Sequence, residues 1–213
     1  MMLFNLVKKD FIISKKYVYF MFFAAAAMPP YIYLRMPEYK GTPGFILSAV
    51  FTVLMLIQNV SLKEYQYPKA AMLLCTAPFP RKIIVLSKYI FCIAVYTFCC
   101  IVFAIETLFI PAFGGLDIKL LLIMFFVISV FIGIYLPIQY KFGYEKTRLA
   151  ILGIIMFSPV ITPVMLKTAK TTPVVIPYIP PLLIYSTLFL SSIIILLISA
   201  YISVYFYKKT DIA

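Results

Sequence analysis

Histidine and tryptophan are absent, and only seven acidic side chains stand against nineteen lysines and arginines. Without histidine there is no imidazole for a catalytic triad or for a proton relay built on that ring. The seven acids are scattered singly, so the paired carboxylates that acid–base chemistry or a metal site at membrane depth would need are missing as well. The seven glycines never fall in the G-x-x-x-x-G-K-[ST] spacing of a nucleotide-phosphate loop. Four cysteines, Cys75, Cys92, Cys99 and Cys100, form no Cys-x-x-Cys pair. Three of them share one apolar run, so they read as small packing residues rather than as a disulfide framework or a zinc site. The sequence therefore offers no catalytic residue and no metal site, and an enzyme is not expected in this chain. Charge of any sign is scarce, at 12% of residues, while 64% are hydrophobic. A soluble domain runs nearer half apolar and a quarter charged, so the chain reads as a polytopic membrane protein.

The formal net charge of +12 does not point to nucleic acid. The basic residues sit in short clusters between apolar runs, where anionic head groups and insertion orientation account for them. The first sixteen residues, MMLFNLVKKDFIISKK, are amphipathic. Leu3, Val7 and Phe11 form one stripe with Phe4 beside it, and Asn5, Lys8, Lys9 and Lys16 lie opposite. That pattern predicts a helix lying in the head-group plane over residues 1–16. A signal peptide would use Lys8, Lys9, Lys15 and Lys16 as its basic end and Ala24 to Ala27 near its cleavage site. The apolar run continues past those alanines to Leu34, which argues against it.

Six apolar segments follow, near residues 17–34, 44–62, 83–110, 118–138, 149–166 and 181–207. Eighteen helical residues rise about 27 Å, enough to cross a hydrocarbon core of roughly 30 Å with snorkelling ends. Fourteen of the nineteen Lys and Arg fall on one side of these spans: the N-terminal segment, residues 63–88, the cluster Lys141, Lys146 and Arg148, and Lys208 with Lys209. The richer side is expected to be cytoplasmic, with both termini there. The fold class expected is all-α and integral to the membrane, a single transmembrane domain over 1–213 with an interfacial N-terminal helix and six spans. Short loops over 35–43, 111–117 and 167–180 leave no room for an external domain. Pro29-Pro30 should kink the first span, and Pro159 and Pro163 the fifth.

Two inner segments and one acid stand out. Residues 63–89, KEYQYPKAAMLLCTAPFPRKIIVLSKY, form the longest interruption between spans and hold one acid, Glu64, among five cations. Pro68 can open a short helix there, and the Pro78-Phe79-Pro80 group stops it. Residues 139–148 make the second inner loop, where Pro137 ends or kinks the fourth span and Gly143 permits a sharp turn between Phe142 and Tyr144. Glu145 then sits favourably near the start of the fifth span. Glu106 interrupts the apolar third span one turn before Pro111, and an ionisable group at that depth marks either a pathway or a snorkelling end. Gln58 and Asn59 are expected to hydrogen-bond between helices.

Two motifs resemble a known family. The first is Met72-Leu73-Leu74, Pro78, Pro80-Arg81-Lys82, Ile84-Val85 and Ser87-Lys88-Tyr89, and it is similar to the segment before the third span of bacterial ABC type-2 transporter permeases. The second is Leu136-Pro137 with Tyr140-Lys141-Phe142-Gly143-Tyr144-Glu145-Lys146 and Arg148. It resembles one small subfamily that includes the permeases of the phenol-soluble modulin exporter. The resemblance implies a permease pair, of two copies or of a copy and a paralogue, in the bacterial cytoplasmic membrane. Each permease would dock on a separate cytoplasmic ATP-binding-cassette ATPase subunit that holds the ATP and Mg, with no cofactor in this chain.

It further implies a coupling loop over 63–82. Pro68, Lys69, Leu73 and Leu74 belong to its coupling helix over Pro68 to Ala77, which Pro78 closes, with Leu73 and Leu74 packing on the ATPase and Lys69 and Arg81 at the rim beside Lys82. Phe142, Gly143, Tyr144, Glu145, Lys146 and Arg148 make the second contact. The expected function is export of amphipathic or antimicrobial peptides, with Glu106 a candidate residue on the substrate pathway. Lipid or drug-like cargo, a passive immunity or anchoring protein without an ATPase partner, and ion-driven secondary transport are the rival readings.

Overall fold

A computed structural model describes residues 2–35, 42–67, 80–110, 113, 118–171 and 181–209, with the side chains of 2, 35, 42, 43, 150–171, 181, 182 and 184 outside that description. All regular structure among the described residues is helical, in six helices. They are α1 (Met2–Ile13), α2 (Lys15–Arg35), α3 (Thr42–Gln66), α4 (Arg81–Phe109), α5 (Ile118–Thr171) and α6 (Pro181–Lys209). Five segments among the described residues are long and apolar enough to cross a bilayer: Lys15–Leu34, Gly44–Gln66, Arg81–Phe109, Ile118–Leu149 and Tyr185–Lys209. The expected span at 149–166 falls in the second arm of α5, where the backbone is helical but the side chains beyond Leu149 are outside the described residues.

Helix α4 is the hub and packs against each of the other five. Its buried residues Ile84, Val85, Lys88, Tyr89, Phe91, Cys92, Val95, Tyr96, Cys99 and Phe103 recur every three or four positions, a broad inward face at the helical period. Lipid tails are as apolar as leucine, so this face is held by close packing and by polar bonds between helices. Tyr19, Phe20 and Phe23 of α2, with Ile194, Leu197, Ile198 and Tyr201 of α6, are left on the outside of the bundle.

Two glycines mark close helix approaches. A Cβ on Gly44 would lie 2.6 Å from the Cα of Pro29, so α3 begins against the backbone of α2 at its Pro29-Pro30 pair, and α2 runs on through both prolines to Arg35. Gly133 of α5 faces Ile195 and Ser199 of α6 at 3.0 and 3.8 Å from where its Cβ would be. Pro137, four residues on, lacks the N–H that would bond the Gly133 carbonyl. The hydroxyl of Ser199 donates to that carbonyl instead, at 2.9 Å. The Tyr89 hydroxyl of α4 then joins Ser199 and Ser203, at 2.6 and 2.8 Å. The proline therefore does not end the helix: the orphan acceptor becomes the anchor of a three-helix polar seam.

The turn expected in the second inner segment comes down to one residue. Gly143 has φ 81° and ψ 173°, and the chain is helical on both sides of it. This region of backbone space is essentially restricted to glycine. The Thr147 hydroxyl, buried on the new arm, donates to the Gly143 carbonyl at 2.8 Å. Other boundaries also shift from the sequence reading. Helix α3 continues through Lys63 and Glu64 to Gln66, since nothing breaks it until Pro68 biases Tyr67 away from helix. Asn59 bonds the Met55 carbonyl of its own helix at 2.8 Å rather than a neighbour.

Candidate functional site

The last turn of α3, the first turns of α4, the end of α1, the break in α5 and the end of α6 meet at one end of the bundle. Adjacent side chains at the end of α3 are shared between two sets of partners. Glu64 turns toward α1 and α4, and its two carboxylate oxygens take Lys9 Nζ at 3.4 Å and Lys88 Nζ at 2.5 Å. Lys88 is only 3% exposed, two turns into α4, and its ammonium also lies 5.3 Å from the centre of the Tyr140 ring of α5. Lys88 was counted above among the loop cations; it is instead a buried charge whose compensation is built into the fold.

Asp10 completes this cluster. It is 1% exposed, with Lys9 Nζ 3.1 Å from Oδ1, yet neither carboxylate oxygen makes a hydrogen bond among the described residues. Burial pushes the Asp10 carboxyl above its ordinary value of 3.8; Lys9 opposes this, Glu64 adds to it and Lys88 opposes it. The apolar stripe Leu3, Val7 and Phe11 packs on the core, with Phe11 4.7 Å from Phe91 between ring centres. Leu6, Asp10 and Ser14 beside it are buried as well, so the acid faces the two lysines, and Phe4 points out. The signal for that burial in the sequence is thin: Asp10 follows Leu6 by one turn and precedes Ser14 by another.

Tyr65, the next residue of α3, turns toward α5. Its hydroxyl donates to Glu145 Oε1 at 2.7 Å, and its ring stacks on that of Tyr144 at 5.6 Å between centroids. Gly143 sits immediately before this contact. On the other flank of the break, Lys141 lies over the rings of Phe142 and Phe206, the latter in α6, at 5.1 and 5.4 Å. At the far end of the 68–79 stretch, Arg81 Nη1 donates to the Lys208 carbonyl of α6 at 3.3 Å.

The expected coupling residues divide accordingly. Arg81, Lys82, Phe142, Gly143, Glu145, Lys146 and Arg148 are exposed and Tyr144 is half-buried, all at this same end. Pro68, Lys69, Leu73, Leu74 and Pro78 lie outside the described residues. The structure thus ties both stems of the 68–79 segment to the bundle, the incoming one to α1, α4 and α5 and the outgoing one to α6. Sequence reasoning found Tyr144 and Glu145 but not their partner Tyr65, and missed buried Asp10 and Lys88, which gather with half-buried Lys9 around Glu64.

Glu106 belongs to the opposite end. Its two carboxyl oxygens are inaccessible and have no hydrogen-bond partner among the described residues. One turn earlier Phe103 stacks on Phe45 at 4.5 Å and lies 6.2 Å from Phe113, which Tyr33 meets edge-on at 5.2 Å. The charge-bearing end and the aromatic end are therefore separated along the length of α4.

A family model described as "ABC-2 family transporter protein" matches residues 5–208, nearly the whole chain. No curated protein and no solved structure matches it.

Proposed function

The chain belongs to the ABC-2 transporter family, and from that premise we propose that it is the permease subunit of an exporter for amphipathic or antimicrobial peptides, driven by a separate ATPase subunit at the lysine-rich, cytoplasmic end. As a family member it is a multi-pass membrane transporter component, and the family implies an ATP-binding-cassette partner. The observation that carries the mechanical part of the reading is the bracing of both stems of the 68–79 segment. A push on that segment loads Glu64 and Tyr65 on one side and Arg81 on the other. Those residues hold α1, α4, α5 and α6, so the push becomes a movement of helices rather than of a loop alone.

In this reading Pro68, Lys69, Leu73, Leu74, Pro78, Arg81 and Lys82 receive the ATPase. Phe142, Gly143, Tyr144, Glu145, Lys146 and Arg148 form a second contact beside it. The apolar pair Leu73 and Leu74 supplies the packing, and the cations surround it. Two permeases, of the same or paired kinds, enclose the pathway, and Glu106 attracts cationic cargo to it. ATP and Mg belong to the partner.

Export and ATP hydrolysis measured together on the reconstituted complex test this. Leu73→Asp with Leu74→Asp is expected to abolish cargo-stimulated hydrolysis and export while the permease still inserts. Retention of both activities would remove the coupling assignment. In the same assay Glu106→Gln is expected to slow cationic cargo and spare neutral cargo; an unchanged cationic rate would take Glu106 off the pathway.

A further inference from the structure

The α4–α6 seam opens at the lysine-rich end into a cleft of about 350 Å³, lined by Lys82, Leu86, Ala200, Val204, Lys208 and two tyrosines of α6. We propose that this cleft is a binding site for an anionic phospholipid of the adjacent leaflet, its phosphate between Lys82 and Lys208 and its chains against Leu86, Val204 and Tyr201.

The walls and the rim have different chemistry, and the division matches a lipid. Leu86, Ala200 and Val204 lie within apolar spans, and Tyr201, 77% exposed, continues the wall along the outside of α6. Lys82 stands in the first turn of α4 and Lys208 in the last turn of α6, both exposed at the end where apolar span gives way to charge. The bond from Arg81 to the Lys208 carbonyl holds those two helix ends together, which places both ammonium groups on one rim.

Positive potential there is not cancelled locally. No lining residue is acidic, and among the described residues no carboxylate pairs with Lys82 or Lys208. Pro80 caps α4 without a side-chain acceptor, so the positive end of that helix offsets the negative end of α6 and leaves the ammonium groups of Lys82 and Lys208 as the charge of the rim. A neutral lipid would gain the walls but leave two cations facing its head group. An anionic phospholipid satisfies both at once. A water-soluble peptide or the ATPase partner would have to cover apolar surface at span depth.

The test is lipid retention by the purified full chain in mild detergent, read by native mass spectrometry with phosphatidylglycerol and phosphatidylcholine offered in equal amounts. Wild type is expected to retain phosphatidylglycerol about thirtyfold better, the size of effect two lysines near an anionic head group supply. Lys82→Ala with Lys208→Ala is expected to bring the two lipids to parity. Lys15→Ala with Lys16→Ala, exposed lysines of α2 away from the cleft, should leave the preference intact. Leu86→Trp, which fills the cleft and keeps both lysines, should reduce retention of both lipids.

No preference in wild type would overturn the proposal. Equal loss in the Lys15/Lys16 control would reduce it to diffuse surface charge and likewise overturn it. Displacement of the lipid when the co-purified ATPase binds would assign the cleft to that partner instead. Retention needs no hydrolysis, so the proposed transport function and the lipid site can fail separately.

Discussion

Lys88 keeps its ammonium in an apolar helix face because Glu64 and the Tyr140 ring surround it. Removing one member of such a pair costs more than removing both, since the survivor is a buried charge without compensation. Glu64→Gln or Lys88→Met alone is expected to lower stability by about 3 kcal/mol, and the double change to recover most of that. Thermal unfolding in detergent reads this cycle, and additive single effects would show that the pair is not coupled. Asp10 gives a pH signature of opposite sense to an ordinary paired carboxylate. Its folded value is raised above 3.8, so the folded state binds the proton more tightly than the unfolded chain does. Its favourable share is complete in acid and is lost as pH climbs from about 3.8 through the raised folded value, with Lys9, Lys88 and Glu64 the charges that face it. The stability difference between wild type and Asp10→Asn should therefore shift against wild type as pH rises, and a difference flat with pH would contradict the burial. Neither residue could be placed from its neighbours in sequence. A lysine eight residues past Pro80 reads as head-group charge until a carboxylate from another helix is known to reach it.

Helix α5 shows which parts of an element are written locally. Gly143 was legible as a turn because only glycine tolerates its backbone geometry, and the Tyr65–Glu145 contact follows it directly. Pro137 was legible only as a break, because its rescue comes from Ser199, sixty-two residues later in the chain. The same blindness set the end of α3 too early: Lys63 and Glu64 look like loop by charge, yet Glu64 is the inward face of a final helical turn. Gly143→Ala isolates the backbone effect, because no atom lies within 4 Å of the added Cβ. It is expected to cost about 2 kcal/mol through strain alone and to weaken the Tyr65–Glu145 contact that follows it. Disulfide trapping between cysteines placed at 65 and 145 should slow in the variant, and unchanged trapping with unchanged stability would show that the break is not enforced by this glycine.

Across the whole molecule, the apolar spans and the basic clusters were readable because a bilayer imposes length and composition on every segment that crosses it. The proposed ATPase-facing surface rests on motif resemblance, since a short basic loop between spans has no chemistry of its own. What the structure adds is mechanical: the flanks of that loop are bolted to four helices by two ion pairs, a tyrosine–carboxylate bond and an arginine–carbonyl bond. The central claim is that this subunit holds no engine and is moved through those flanks by another protein. Purification in mild detergent, followed by an assay of ATP hydrolysis on the isolated chain and on whatever accompanies it, tests this most directly. The account predicts an ATPase subunit in stoichiometric ratio and no nucleotide turnover by the chain alone. Hydrolysis by the isolated chain, or a preparation that never carries an ATPase, would contradict it.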